Sequence, residues 1–234
     1  ILKQIQLIEE DTNVKGVILK INSPGGTVGA SQEIYAALNK CKQKRQIPIY
    51  AQIGDVGASG AYYIALAADK IYANPGSLVG SIGVIMGNIN IKEFASEQGV
   101  SQQTYTGGLY KDVMSMWRDP SEAEKKMLQQ LVDNVHDQFR ASLIESRGIA
   151  QPNLEKVAEG QIFTGEQALQ NDLIDDTASF QSVVSKIGED TGLGENPMLI
   201  SKTKTAFYDV LSMLSIKIQH LFFNSQTDQL QLYF

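Results

Sequence analysis

Two apolar runs, each ending at a glycine-rich break, constrain the fold of this chain more than any other feature. Residues 14–22 (VKGVILKIN) have the length and composition of a buried strand, and residues 23–26 (SPGG) interrupt the chain directly after it. Residues 47–53 (IPIYAQI) form a second such run, and a small-residue helical pattern over residues 58–69 follows it. Helical spacing also occupies residues 31–42, between the two runs. Strands that alternate with helices in this way predict βα units and a parallel or mixed sheet.

The rest of the chain predicts further helices and strands around this sheet. An amphipathic helix is predicted at residues 1–10, and the strongest helical pattern covers residues 121–147. Ser121 and Glu124 form a capping box at the start of the longer helix. Apolar side chains four residues apart then follow one of its faces: Met127, Leu131, Val135, Phe139 and Leu143. The remaining predicted elements are a strand at 70–73, a glycine-interrupted strand at 80–90, and short helices at 153–159 and 165–170.

A polar, glycine-containing stretch at residues 187–196 (IGEDTGLGEN) predicts a boundary late in the chain. We therefore expect one α/β domain over residues 1–186 and a C-terminal extension over residues 187–234. Residues 207–223 have a one-sided apolar pattern that is typical of a packing or oligomer-forming helix. Contact with a membrane surface is the alternative, although the polar face of this segment is not basic. Because the first residues already have a mid-helix pattern and no initiator Met, we expect an upstream part, with any membrane anchor, to be missing from this sequence.

The composition excludes several classes of function. The formal net charge is −6, which argues against nucleic acid as a partner because phosphate neutralisation needs clustered Lys and Arg. Cys41 is the only cysteine, so neither a disulfide framework nor a cysteine-based metal site is predicted. The sequence also lacks an apolar run of about 20 residues, the length that a transmembrane helix needs.

Ser59 is the first candidate catalytic residue. It lies in residues 57–61 (GASGA), between a predicted strand and a predicted helix, so the turn holds the hydroxyl and the N–H of Gly60 near each other. The adjacent glycines Gly25 and Gly26 follow the other predicted strand and leave room for a second backbone N–H to point into a site. Gly26 and Gly60 are thus candidates for an oxyanion hole. Both motifs are equally compatible with small-residue turns that let strands and helices pack closely.

The general base is harder to find. The sequence has two histidines, His136 and His220, and both lie in helical segments beside apolar residues, so a Ser/His/Asp triad is poorly supplied. A lysine serves instead where burial and hydrogen bonding keep its amine neutral near pH 7. Lys111 lies in a predicted loop rather than on a polar helix face, but lone lysines are usually solvated. The residues alone therefore leave the base open.

A set of motifs in a fixed order makes the chain similar to the signal peptide peptidase A (protease IV) family. Over about residues 1–180 the matching stretches are 22–26 (NSPGG), 58–64 (ASGAYYI), 67–71 (AADKI), 80–85 (GSIGVI), 108–114 (GLYKDVM), 160–168 (GQIFTGEQA) and 173–175 (LID). The sequence departs from the family at Asn171 and Asp172, where a glycine usually precedes the Leu-Ile-Asp.

The resemblance implies an α/β, crotonase- or Clp-protease-like fold of repeated ββα units, with mixed sheets and flanking helices. It implies Ser59 as nucleophile, Lys111 as general base, Ser81 as the serine that hydrogen-bonds the lysine amine, and Gly26 and Gly60 as oxyanion-hole residues. The expected activity is a serine endopeptidase that cleaves remnant signal peptides and other unfolded apolar peptides without a metal or other cofactor. A homo-oligomer is also implied, with the catalytic domain on the extracytoplasmic side of the cell membrane.

Three other interpretations of the same residues stay open. A Clp-type protease subunit shares the Ser-Pro-Gly-Gly loop but uses a histidine, and Val84 stands where that histidine would be. A crotonase-type acyl-CoA enzyme would use the same oxyanion geometry without needing Ser59. A catalytically silent scaffold of this fold would need none of Ser59, Ser81 and Lys111, and all three are present.

Overall fold

A mixed β-sheet with helices packed against it organises residues 1–82, 140–201 and 229–233, the larger of two units; residues 83–139 form the second unit. The structure, a computed structural model, describes residues 1–201 and 229–233. Its strands are β1 (Val17–Ser23), β2 (Ile49–Ala58), β3 (Lys70–Ala73), β4 (Leu78–Gly80), β5 (Ile162–Thr164), β6 (Asp176–Thr177) and β7 (Gln229–Tyr233). Its helices are α1 (Leu2–Glu10), α2 (Val28–Arg45), α3 (Gly60–Ala65), α4 (Lys92–Glu97), α5 (Glu122–Arg147), α6 (Asn153–Val157), α7 (Gly165–Gln170) and α8 (Phe180–Asp190).

Strand β2 is the centre of the sheet and has different neighbours along its length. Its first half lies parallel to β1 on one side and to β3 on the other. Its last three residues pair with β4 instead, so that Ala58 lies opposite Gly80. The change of partner coincides with a bulge, because Ile21 pairs with Ile53 but Ser23 pairs with Gly57. The remaining pairs are β4 with β5 and β1 with β7, both antiparallel, and β3 with β6, parallel.

The apolar runs that predicted the strands supply the core of the larger unit. Leu19, Ile21, Ile49, Ile53 and Ile71 are fully buried, as expected of central strands covered on both faces. Helix α1 contributes Ile5 and Ile8 to the buried set, and α3 contributes Tyr62, whose hydroxyl donates to the Leu173 carbonyl oxygen at 2.6 Å.

Most predicted elements are confirmed, and three need correction, one of them the strand predicted at 47–53, which continues to Ala58. The helices predicted at 1–10, 121–147 and 165–170 and the strand at 70–73 are present with nearly the predicted bounds. The capping box is also confirmed: Ser121 N–H donates to Glu124 Oε2 at 2.7 Å, and Glu124 N–H donates to Ser121 Oγ at 3.3 Å. The strand predicted at 80–90 is wrong, because the strand is Leu78–Gly80 and positive φ angles at Gly80 (100°) and Ser81 (50°) turn the chain out of the sheet. The helix predicted at 58–69 is shorter and ends at Ala65.

Two predictions concern the end of the chain. The helical segment 207–223, with His220, lies outside the described residues. The division between residues 186 and 187 stays a prediction. Among the residues that the structure describes, no helix is both long enough and apolar enough to cross a membrane.

Candidate active site

Ser59 occupies a strained turn between β2 and α3. Its φ of 52° and ψ of −125° lie in a region that residues with a side chain rarely adopt, at a cost of about 1–3 kcal/mol. Two backbone hydrogen bonds fix the turn: Ser59 N–H donates to the Gly80 carbonyl at 2.8 Å, and Tyr63 N–H donates to the Ser59 carbonyl at 2.9 Å. A sharp strand-to-helix turn of this kind is how hydrolases present a serine nucleophile.

The loop after β1 lies directly against the serine turn. A Cβ on Gly25 would stand 2.9 Å from both the Gly60 nitrogen and the Ser59 Cβ, closer than real Cβ atoms approach. Gly25 also has a φ of +118°, which a residue with a side chain strongly disfavours. Glycine is therefore required at position 25 both by backbone conformation and by space.

Gly26 and Gly60 lie next to each other in this contact. The Gly26 nitrogen is 3.2 Å from the place that a Cβ on Gly60 would take. The same Cβ would lie 2.4 Å from Ser31 Oγ, which is buried and donates to the Thr27 carbonyl at 3.0 Å. Gly26 and Gly60 are thus close together, as the two backbone N–H donors of an oxyanion hole must be.

Ser81 lies beside Ser59 because their strands are neighbours. Each serine comes directly after the last residue of a strand, and the two last residues, Ala58 and Gly80, are paired across β2 and β4. Ser81 has a φ of 50°, and its N–H donates to the Gln161 carbonyl at 2.7 Å. Both serines are half-buried. The parallel pairing thus places two hydroxyl-bearing residues at one edge of the sheet.

A polar contact that the sequence did not indicate holds the bulge in front of the serine turn. Asn22 Nδ2 donates to Asp55 Oδ2 at 3.0 Å, and Val56 N–H donates to Asn22 Oδ1 at 3.0 Å. Asn22 belongs to the Asn-Ser-Pro-Gly-Gly motif, and its contact with β2 is not predictable from that motif.

Lys111 belongs to the second unit, in a series of turns between α4 and α5. Its N–H donates to the Gly108 carbonyl at 3.2 Å, and its side chain is exposed. The pairing of Lys111 with Ser59 therefore stays a prediction. His136, the described member of the two histidines, lies half-buried on α5. Within residues 1–201 and 229–233, no group of three or more His, Cys, Asp or Glu side chains is placed to hold a metal ion.

Comparison with known proteins identifies the family of the chain. The family model of peptidase family S49 matches residues 41–194, a stretch that includes Ser59, Ser81 and Lys111. The chain belongs to this family. The Clp protease family model matches residues 1–79, which include the glycine loop and the serine turn, and confirms the predicted α/β fold class.

Individual relatives agree with this membership. A protein of Enterococcus faecium that carries the name signal peptide peptidase SppA is 36% identical over 87% of this chain and 59% of its own length. A protease of Synechocystis is 38% identical over 75% of this chain and 62% of its own length. Protease 4 of Salmonella typhi is 33% identical over 80% of this chain and 30% of its own length. The predicted resemblance to the signal peptide peptidase A family, and the serine peptidase class that it implies, are confirmed.

The chain spans about three fifths of the length of the first two of these relatives. Family membership therefore describes the peptidase domain.

Proposed function

We propose that this chain is the catalytic part of a serine endopeptidase that cleaves remnant signal peptides and other unfolded apolar peptides through a Ser59–Lys111 dyad. The observation that supports the proposal most is the contact between the strained Ser59 turn and the loop of Gly25 and Gly26. A turn that only packed a strand against a helix would have no need of an unfavourable φ at a serine.

The proposed reaction is acyl transfer. The neutral amine of Lys111 takes the hydroxyl proton of Ser59 while Oγ forms a bond to the scissile carbonyl carbon, and the carbonyl electrons move onto oxygen. The N–H groups of Gly26 and Gly60 donate hydrogen bonds to that oxyanion. When the oxyanion collapses, the C–N bond breaks and Lys111 returns its proton to the leaving amine, which leaves an ester on Ser59. Lys111 then removes a proton from water as the water oxygen attacks the ester carbonyl carbon. The bond between Ser59 Oγ and that carbon breaks, Lys111 returns the proton to Oγ, and the carboxylic acid leaves.

Ser81 is assigned a supporting role in the same proposal. Its hydroxyl accepts a hydrogen bond from, or donates one to, the lysine amine and so orients it toward Ser59. The position of Ser81 beside Ser59, at the end of the neighbouring strand, supports this role. No metal or other cofactor takes part.

The base must be shielded from water, because only a desolvated lysine stays neutral near pH 7. Lys111 lies on an exposed loop of the second unit, so the proposal requires a surface that covers it. That surface belongs either to the first unit of the same chain or to a neighbouring copy in a homo-oligomer. In keeping with the family resemblance, we further propose that the domain acts on the extracytoplasmic side of the cell membrane, held there by an anchor outside the sequence described.

Hydrolysis of casein and of a synthetic signal peptide by three proteins tests the dyad: wild type, Ser59→Ala and Lys111→Ala. We expect both variants to lose hydrolysis by about 10³-fold or more, as removal of a nucleophile or its base does in serine peptidases. Circular dichroism and gel filtration serve as folding controls. Unchanged hydrolysis in either folded variant contradicts the proposal.

Mixing the two inactive variants tests whether the dyad forms within one chain or between two chains. If the dyad forms between copies, an equimolar mixture contains sites with an intact Ser59 and an intact Lys111, and hydrolysis returns in part. If each chain supplies its own dyad, the mixture stays inactive.

A further inference from the structure

A network of one arginine and two carboxylates lies directly after Lys111 in the second unit. Arg118 Nε and Nη2 donate to the two carboxylate oxygens of Asp112, both at 2.8 Å. The other edge of the same guanidinium contacts Glu124: Nη1 donates to Oε2 at 2.9 Å and Nη2 to Oε1 at 2.5 Å. Arg118 is thus bidentate toward two carboxylates at once, the strongest geometry available to this side chain.

The network is firmly held at the Glu124 end. The Glu124 side chain is 4% exposed and also accepts hydrogen bonds from the N–H and Oγ of Ser121, so it is part of the N-terminal cap of α5. Arg118 Nη1 donates in addition to the Asp119 carbonyl at 3.1 Å, which gives an acceptor to every N–H of the guanidinium. Isolated ion pairs at a protein surface stabilise little. This one is different, because a buried carboxylate that already caps a helix anchors it.

At its other end, the network includes Asp112, whose backbone continues directly from that of Lys111. Backbone bonds hold the turns around Asp112, among them Lys111 N–H to Gly108 oxygen at 3.2 Å and Ser115 N–H to Asp112 oxygen at 3.0 Å. Asn88 Nδ2 also donates to the Met114 carbonyl at 3.0 Å, after the turn that contains Lys111. Short turns of this kind do not fix a side-chain origin by themselves. The two Asp112–Arg118 bonds tie the turn to the first turn of α5.

We propose that Arg118 is a positioning residue for the lysine of this peptidase: by joining Asp112 to Glu124, it fixes the backbone from which Lys111 reaches the reacting serine. This inference rests on the proposed function, since it has a consequence for hydrolysis only if Lys111 is the base. A base that is misplaced by about 1 Å lowers the rate of the chemical step by about 100-fold while substrate binding is kept.

Arg118→Lys is the decisive variant because it keeps the positive charge and loses the planar fork. A lysine ammonium is a point donor and cannot hold both carboxylates in bidentate geometry. We expect kcat to fall about 10-fold or more per active site with KM within about twofold of wild type, which is the signature of a lost transition-state interaction. Asp112→Asn keeps the shape of the side chain and one acceptor oxygen. Its kcat should lie between those of wild type and Arg118→Lys.

Lys125→Ala is the matched control. Lys125 lies at the start of α5, next to Glu124, and its half-exposed side chain pairs with Glu122, which is 89% exposed. Removal of the Lys125 side chain should therefore leave kcat unchanged. Lys111→Ala is measured alongside. If Lys111→Ala keeps full hydrolysis, the proposed dyad fails, and the positioning role fails with it.

The pH profile of kcat separates positioning from general stability. A lysine held in the wrong place is shielded differently, so the midpoint of the profile should move in Arg118→Lys relative to wild type. The fraction of folded, active protein is counted by labelling Ser59 with a fluorophosphonate. If Lys111→Ala is inactive but Arg118→Lys has the wild-type kcat and profile, or if its loss disappears once the folded fraction is taken into account, the inference is overturned.

Discussion

The serine turn and the lysine loop of this peptidase are built in opposite ways. Around Ser59, glycines with no room for a side chain, buried neighbours and parallel strand pairing fix the backbone in one strained conformation. Around Lys111, the chain forms consecutive turns whose apolar side chains point to solvent: Tyr105 is 90% exposed and Leu109 is 80% exposed. Both regions have backbone hydrogen bonds, to which close packing is added in the first region and side-chain ion pairs in the second. Substitutions that add or remove volume should thus affect the serine turn, whereas changes of charge or pH should affect the lysine loop.

Among substitutions that test this contrast, a single added methyl group at the serine turn should have the largest effect. In Gly25→Ala the new Cβ would meet the Gly60 nitrogen at 2.9 Å, and the φ of +118° would be unfavourable for alanine. Because the two loops must separate, we expect the oxyanion donors to shift and kcat/KM to fall by about 100-fold or more, the usual effect of a lost donor. Hydrolysis of a chromogenic peptide measures this.

Gly29→Ala is the control for the same chemical change. Gly29 lies exposed in the first turn of α2, with no atom within 4 Å of an added Cβ. Alanine is favoured over glycine in a helix by about 1 kcal/mol, so this variant should be as active as wild type and as stable or more so. Equal activity of the two alanine variants would show that the serine turn is not as tightly determined as its packing implies.

The two regions also differ in how much of them the sequence predicts. Ser59 lies in a local pattern of strand, small-residue turn and helix, so its position could be inferred from its own neighbours. The strand that presents it was predicted to end at Ile53, although β2 continues to Ala58. Residues 54–58 (GDVGA) have no strand pattern, and they become a strand because they pair with β4, a tertiary effect that local propensity does not contain.

Lys111 and Arg118 show why the rest could not be predicted. Nothing in the residues next to Lys111 separates it from an ordinary surface lysine, and its assignment depended on resemblance to a family. The fork of Arg118 joins residues six positions away on either side, a spacing that corresponds to no regular element. The Ser121–Glu124 capping box was predicted from the sequence. Its connection to the lysine loop through Arg118 depends on the tertiary fold and was not.

Removing an apolar side chain should lower the free energy of unfolding near the serine turn but not in the lysine loop. Ile53 is fully buried, and its side chain lies 2.7 Å from the position of a Cβ on Gly57, in the strand that leads to the serine turn. Ile53→Ala should lower the free energy of unfolding by about 2–5 kcal/mol through the cavity it leaves. Leu109→Ala in the lysine loop should change it by less than about 0.5 kcal/mol, because the side chain is already in solvent. Urea unfolding measures both, and similar losses would mean that Leu109 is covered in the native protein.

The smallest effect, and the one specific to the lysine loop, is a dependence of stability on acid. Hydrogen bonds from Arg118, and then from the Ser121 backbone, lower the pKa of Glu124 from its usual 4.5 to about 2. Hydrogen bonds from Arg118 also lower the pKa of Asp112. A carboxylate whose pKa is lower in the folded than in the unfolded state stabilises the fold above the unfolded value, and this contribution is lost as the pH falls toward the folded value.

Wild-type stability should therefore decrease between about pH 4.5 and pH 2, and part of that decrease should be absent in Glu124→Gln, which cannot ionise. Glu122→Gln removes a carboxylate that is 89% exposed on the same turn and should leave the acid-induced decrease as in wild type. Urea unfolding at a series of pH values gives the slopes, and hydrogen exchange at the start of α5 localises the change. If Glu124→Gln and Glu122→Gln have the same slope as wild type, the Arg118 network does not hold the lysine loop to α5 by charge, and the contrast with the serine turn disappears.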